Sequence, residues 1–206
     1  PSPNLKIAQR IIGHSGFDTE KVLDELAAER YGRLAAPDAR KAWTSFSDAF
    51  REFPYGLGLY SAPQQVGPAN LLYRTSTGYA ATMTCYPYDD LPRWKGQYPP
   101  EVLASQFQKV ADGWAAGLKP FARAVEQSDP DKKSAAKEDL AIAQAAHTYW
   151  ASVSNQVRFV VARDELTRQD KPELRADLSN LLDDEITQSR RLFELAQQDS
   201  RIGFEA

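Results

Sequence analysis

The chain has 206 residues, of which 42% are hydrophobic and 26% charged, and its formal charge is −3. That balance places it with soluble globular proteins, and the length suffices for one large domain or two small ones. It offers no basic stripe for nucleic acid, and no apolar run approaches the roughly 18–20 residues that cross a bilayer. Cys85 is the only cysteine, so no internal disulfide is possible. A reducing, cytoplasmic setting is slightly favoured on that ground, although secreted chains without bridges exist. The ends, Pro1-Ser2-Pro3 and Phe204-Glu205-Ala206, read as cuts, so a piece of a longer polypeptide is expected.

In chain order, Asn4 is placed to cap a short helix that Gly13 ends after Ile12. Asp18 caps the next, with Glu20 in its first turn, Val22, Leu23, Leu26 and Tyr31 as its stripe, and Gly32 as its stop. Pro37 suits the start of a third helix. Its stripe of Ala39, Trp43, Phe46 and Phe50 runs out near Phe53-Pro54.

Residues 53–98 differ from everything around them. They hold seven of the nine tyrosines, Phe53, Trp94, five glycines and five prolines, with one lysine and no glutamate. Such a cluster suits a core under long loops or a platform for a flat polar ligand. Segments 57–60, 70–74 and 79–86 are short-strand candidates. The last two flank Thr75-Ser76-Thr77-Gly78, so one small β-hairpin is expected within an irregular, ordered excursion.

Pro99-Pro100-Glu101 opens a long helix with Leu103, Phe107, Val110, Trp114, Leu118, Phe121 and Val125 on its buried side. Pro120 is expected to kink or break it. Ser128 or Asp129, followed by Pro130, starts a second, lined by Leu140, Ala143, Ala146, Trp150, Val153, Val157 and Val160. Asp170-Lys171-Pro172-Glu173 has the form of a capping box. Leu174, Leu178, Leu181, Leu182, Ile186, Phe193 and Leu195 continue from it. Short connections make neighbouring helices antiparallel. The expected fold is mainly α and a single domain over residues 1–206. Short helices fill 1–53, the aromatic-rich region 54–98, and an antiparallel bundle of three long helices 99–199, burying Trp114 and Trp150. A tail covers 200–206.

The most suggestive polar site is Tyr86-Pro87-Tyr88-Asp89-Asp90-Leu91-Pro92-Arg93-Trp94. Carboxylates beside rings hydrogen-bond sugar hydroxyls while a ring stacks on the apolar sugar face. Tyr88, Asp89, Asp90 and Trp94, with Asn70 from the turn Gly67-Pro68-Ala69-Asn70, form the candidate substrate-binding set. The plain alternative is structural: aspartates in a turn, Arg93 pairing with one of them, and the Asn70 amide tying down a loop. Adjacent aspartates are not a glycosidase pair, which needs carboxyls roughly 5–9.5 Å apart on opposite sides of a bond.

Gly56-Leu57-Gly58 lacks the rest of a dinucleotide fingerprint. Two histidines and one cysteine, none at ligand spacing, give no metal site, and no Ser-His-Asp or Cys-His arrangement is present. No cofactor, metal or catalytic residue is therefore assigned. His147 reads as a core histidine and Asp183-Asp184-Glu185 as a solvated helix face.

Several stretches carry a family likeness. They are Ala42-Trp43-Thr44-Ser45-Phe46-Ser47-Asp48-Ala49-Phe50 with Phe53-Pro54, Gly67-Pro68-Ala69-Asn70-Leu71-Leu72-Tyr73, Thr77-Gly78-Tyr79, Pro87-Tyr88-Asp89-Asp90-Leu91, and Arg201-Ile202-Gly203-Phe204-Glu205-Ala206. Together they resemble the C-terminal region of large bacterial glycoside hydrolase-like proteins. The resemblance implies a helical accessory domain that supports or completes the cleft of an N-terminal catalytic domain on the same polypeptide, its main partner. No family catalytic residue maps onto this chain. Two other readings stay open: a carbohydrate-binding module and a helical protein-interaction module without ligand. Solvent-facing rings favour sugar binding, and buried rings favour scaffolding.

Overall fold

The structure, a computed structural model, describes residues 3–12, 18–56, 59, 68, 70–78, 89, 91–169 and 171–202. Among them the chain is mainly helical, with seven helices and no strand. These are α1 (Pro3–Ile11), α2 (Thr19–Tyr31), α3 (Ala36–Phe50), α4 (Leu91–Trp94), α5 (Pro100–Gln127), α6 (Lys133–Arg168) and α7 (Pro172–Gln198). Residues 70–78 are coil and bends. The second strand proposed for a hairpin, 79–86, lies outside the described residues.

Local signals place most helix ends. The Asp18 carboxylate accepts the Lys21 N–H at 3.2 Å and so satisfies an orphan donor of α2. Gly32 ends α2 with φ +101° and ψ 156°, a region open essentially to glycine. A Cβ at this position would lie 2.4 Å from the Asp129 carboxylate. Gly32→Ala should therefore cost about 1–3 kcal/mol from backbone strain alone. Thermal melts of the two proteins check this, and an unchanged midpoint would refute it.

Elsewhere the signals are displaced. α5 runs unbroken through Pro120. The ring removes one main-chain donor, but the carbonyl it leaves belongs to Ala116, an exposed residue that water can reach. α6 starts three residues after Pro130, because the cap candidates are otherwise engaged. Ser128 Oγ donates back to the Ala124 carbonyl at 2.8 Å, and the Asp129 carboxylate pairs with Lys132. Lys171 caps α7 without a side-chain bond, with Pro172 as the first helical residue.

Packing divides the chain into two compact units. One comprises Pro1–Asp48 and Trp114–Ala143, the other Ala49–Gly113 and Gln144–Ala206. The first is built on Ala27, Tyr31, Ala39, Ala42, Phe121 and Ala124. Small residues bring its helices close together: a Cβ on Gly117 would lie 2.5 Å from the Phe46 ring. Trp114 stacks on Phe46 at 4.6 Å and donates its indole N–H to the Ala143 carbonyl at 2.9 Å.

In the second unit, α5 and α6 lie antiparallel. Ser154 Oγ donates to the Ala104 carbonyl at 3.0 Å, and Phe107 stacks on Trp150 with ring centres 6.3 Å apart. α7 returns along α6, with Glu185 against Ser152 and Arg191 against Gln144. The core of this unit is Leu59, Leu91, Trp94, Leu103, Phe107, Val153, Val157 and Val160. Trp114 and Trp150, expected to be buried, are each only half-buried.

The apolar face of α7 also differs from expectation. Leu182, Ile186 and Phe193 are exposed, Phe193 at 63%. The inward positions are Leu174, Leu178, Leu181, Glu185 and Leu195. The two sets lie about 100° apart around one helix, the angle of a single residue step. Polar bonds from Glu185 and Ser189 fix which set turns inward.

Candidate functional site

Of the five sequence-named ligand residues, Asn70, Asp89 and Trp94 are described; Tyr88 and Asp90 lie outside the described residues. Trp94, at the end of α4, is fully buried among Leu91, Leu103 and Phe107. Its indole N–H has no hydrogen-bond partner among the described residues. A ring at 0% exposure offers no face to a sugar.

Asn70 and Asp89 do come together, against α6. They share the lining of a cavity of about 10 Å³ with Gln156, Val160 and Arg163, a space that holds no more than about one water. Asp89 is 5% exposed. Its Oδ2 accepts the Thr77 N–H at 2.7 Å and lies 3.6 Å from a guanidinium nitrogen of Arg163. Arg163, 4% exposed, also donates to the main-chain carbonyl of Asp89 at 2.9 Å and to Asp164. One buried arginine thus holds side chain and backbone of the turn together.

Asn70 Nδ2 donates to Gln156 Oε1 at 2.9 Å, and Gln156 Nε2 donates to Ser152 Oγ at 2.9 Å. Ser152 Oγ donates to Glu185 Oε2 at 2.6 Å, while Asn155 Nδ2 donates to Glu185 Oε1 at 2.9 Å. Ser189 Oγ, one turn further along α7, donates to the Pro68 carbonyl at 3.0 Å. A polar seam therefore runs from the aromatic-rich segment through α6 to α7.

Glu185 corrects the reading of Asp183-Asp184-Glu185 as a solvated face, for its carboxylate is buried. Burial pushes its pKa up; the bonds from Ser152 and Asn155 oppose this, and the nearby Asp184 charge adds to it. The folded pKa exceeds the unfolded one, so the native state holds the extra proton. This contribution is fully present below the unfolded pKa and is lost as pH rises through the folded value. Glu185→Gln, which cannot ionise, should lose less stability than wild type between about pH 4 and about pH 8. Parallel denaturant titrations at both ends of that range test it, and equal losses would contradict it.

Sequence reasoning missed Arg163, Gln156 and Ser152 and placed Glu185 on a solvated face. A signal was present: Ser152-Val153-Ser154-Asn155-Gln156 places four polar residues within a long apolar helix, and all five are buried. Glu185 likewise keeps step with Leu178 and Leu181. His147 is half-buried; burial lowers its pKa against the opposing charge of Asp112. Among the described residues no cluster of histidine, cysteine or acidic side chains is placed to hold a metal, and no helix is long and apolar enough to cross a membrane.

A separate open groove of about 460 Å³ between α5 and α6 is lined by Glu101, Ala104, Gln108, Val157, Arg158 and Val161, among others. None of the sequence-named ligand residues reaches it. No protein-family model, characterised protein or solved structure matches this chain.

Proposed function

We propose that this chain is a non-catalytic, helical accessory domain of a glycoside hydrolase-like polypeptide, with a scaffolding role toward that polypeptide's catalytic domain. The family resemblance of the stretches around Trp43, Asn70 and Asp89 supports the context. The burial of Asp89 carries the role. A carboxylate at 5% exposure, held by Thr77 and Arg163, is committed to the fold and has no open lone pair facing solvent. Asn70, bonded to Gln156, and Trp94, fully buried, are likewise committed to the fold. Tyr55, 79% exposed, and the exposed Leu71 and Tyr73 are among the apolar groups left for a neighbouring domain.

The purified chain should turn over no aryl glycoside, and Asp89→Asn should lower its melting temperature. Turnover that disappears in a folded Asp89→Asn protein would overturn the reading and make Asp89 catalytic. Saturable oligosaccharide binding by calorimetry, without turnover, would instead favour a carbohydrate-binding module.

A further inference from the structure

We propose that the outer stripe of α7 is a self-association surface on which a second copy of this chain docks antiparallel. Leu182, Ile186 and Phe193 form its apolar centre, and Asp183 and Arg190 form reciprocal ion pairs across it. Leu182, Ile186, Ser189 and Phe193 follow at spacings of four, three and four residues. That spacing keeps them within about 60° of one another around the helix and spreads them over about 16 Å along it. The three apolar members are all exposed. A regular apolar stripe is how a helix packs on a neighbour, and α6 meets α7 through the other set, at Glu185.

Charge selects the occupant. Asp183 and Arg190 are both exposed and lie about 80° to one side of the stripe, with Glu185 about 70° to the other. Among the described residues neither Asp183 nor Arg190 has an ion-pair partner, whereas Arg191, turned away from the stripe, is bonded to Glu194 and Gln144. Asp183 and Arg190 are separated by about 10 Å along the helix, too far to pair with each other in one chain. An edge with an acid at one end and a base at the other complements its own image in a two-fold axis perpendicular to the helix.

With that axis between Thr187 and Gln188, Leu182 meets the partner's Phe193 and Ile186 meets the partner's Ser189. Asp183 then stands on the same side as the partner's Arg190, offset by about 3 Å along the helix, and the symmetry makes the pair twice. A parallel pairing brings opposite edges together instead and turns Asp183 toward the side that carries the partner's Glu185. Ser189 suits the antiparallel register. Its small side chain leaves room for the isoleucine, and its hydroxyl already donates to the Pro68 carbonyl, so burial strands no donor. Because one helix supplies the whole contact, the dimer belongs with the small, weak interfaces below about 1,200 Å². The chain is monomeric when dilute and pairs as its concentration rises.

Sedimentation velocity on the 206-residue chain, from micromolar to millimolar concentration, should show a monomer–dimer equilibrium. Phe193→Glu should abolish it. Asp183→Arg and Arg190→Asp should each weaken self-association about tenfold or more, because each sets like charges opposite one another twice. An equimolar mixture of these two variants should dimerise again, since each then meets the opposite sign on the other. Both positions are exposed, and rescue by mixing is an outcome that misfolding does not produce. A chain that stays monomeric throughout overturns the inference and leaves this face to another segment or partner. A dimer that survives Phe193→Glu, or survives both charge reversals, overturns it as well. So does a dimer lost in both charge variants and not rescued by mixing them, because the reciprocal pairing is then absent.

Discussion

Arg163→Met should destabilise the protein by about 3–5 kcal/mol, the usual cost of removing one partner from a buried ion pair. The replacement fills much of the same space, so the loss reports on charge and hydrogen bonding more than on a cavity. Asp89 would remain at 5% exposure with its carboxylate and its main-chain carbonyl both deprived of the guanidinium. Urea unfolding measures this as a lower midpoint with an unchanged slope. Adding Asp89→Asn to Arg163→Met should restore part of the loss, because a neutral amide is cheaper to leave buried than a carboxylate. A loss below about 1 kcal/mol in the single variant is the size expected of a surface pair. It would show that solvent reaches the pair, and the anchoring role of Asp89 would fall with it.

Phe107→Ala should cost about 3–5 kcal/mol, the range for deleting a fully buried aromatic ring. Phe107 has no exposure and sits in edge contact with Phe53 at 5.7 Å and in a stack with Trp150. Removing it takes a shared neighbour from both rings, so tryptophan emission and near-ultraviolet dichroism should change together with stability. Phe193→Ala is the matched control. That ring is 63% exposed, and its loss should stay within about 0.5 kcal/mol. Comparable losses in both variants would mean that the inner and outer faces have been misassigned.

Much of the helical framework was legible because its signals are local. The Asp18 cap and the Gly32 stop depend on hydrogen bonds and dihedral limits within a few residues. The stripes of α5 and α6 repeat at helical spacing over many turns, and Leu103, Phe107, Val153 and Val157 are buried as that spacing predicts. Caps that have a second use were misjudged for the same reason in reverse. Ser128 and Asp129 look like a helix start in isolation, but Ala124 and Lys132 engage them first.

The composition and periodicity of this sequence determined by themselves that the chain is mainly helical, where the long helices run, and that residues 53–98 differ from the rest. Tertiary structure decided the direction in which the ambiguous side chains point. α7 carries two apolar stripes one residue step apart, and polar bonds to Ser152, Asn155 and Pro68 selected the inward one. Trp94 and Asp89 carry the same chemistry whether facing a ligand or the core. Their burial depends on partners far along the chain, among them Phe107 and Arg163. Helical spacing reports which residues share a face. Which face is buried depends on the free energy of packing against distant segments, and no local pattern encodes that.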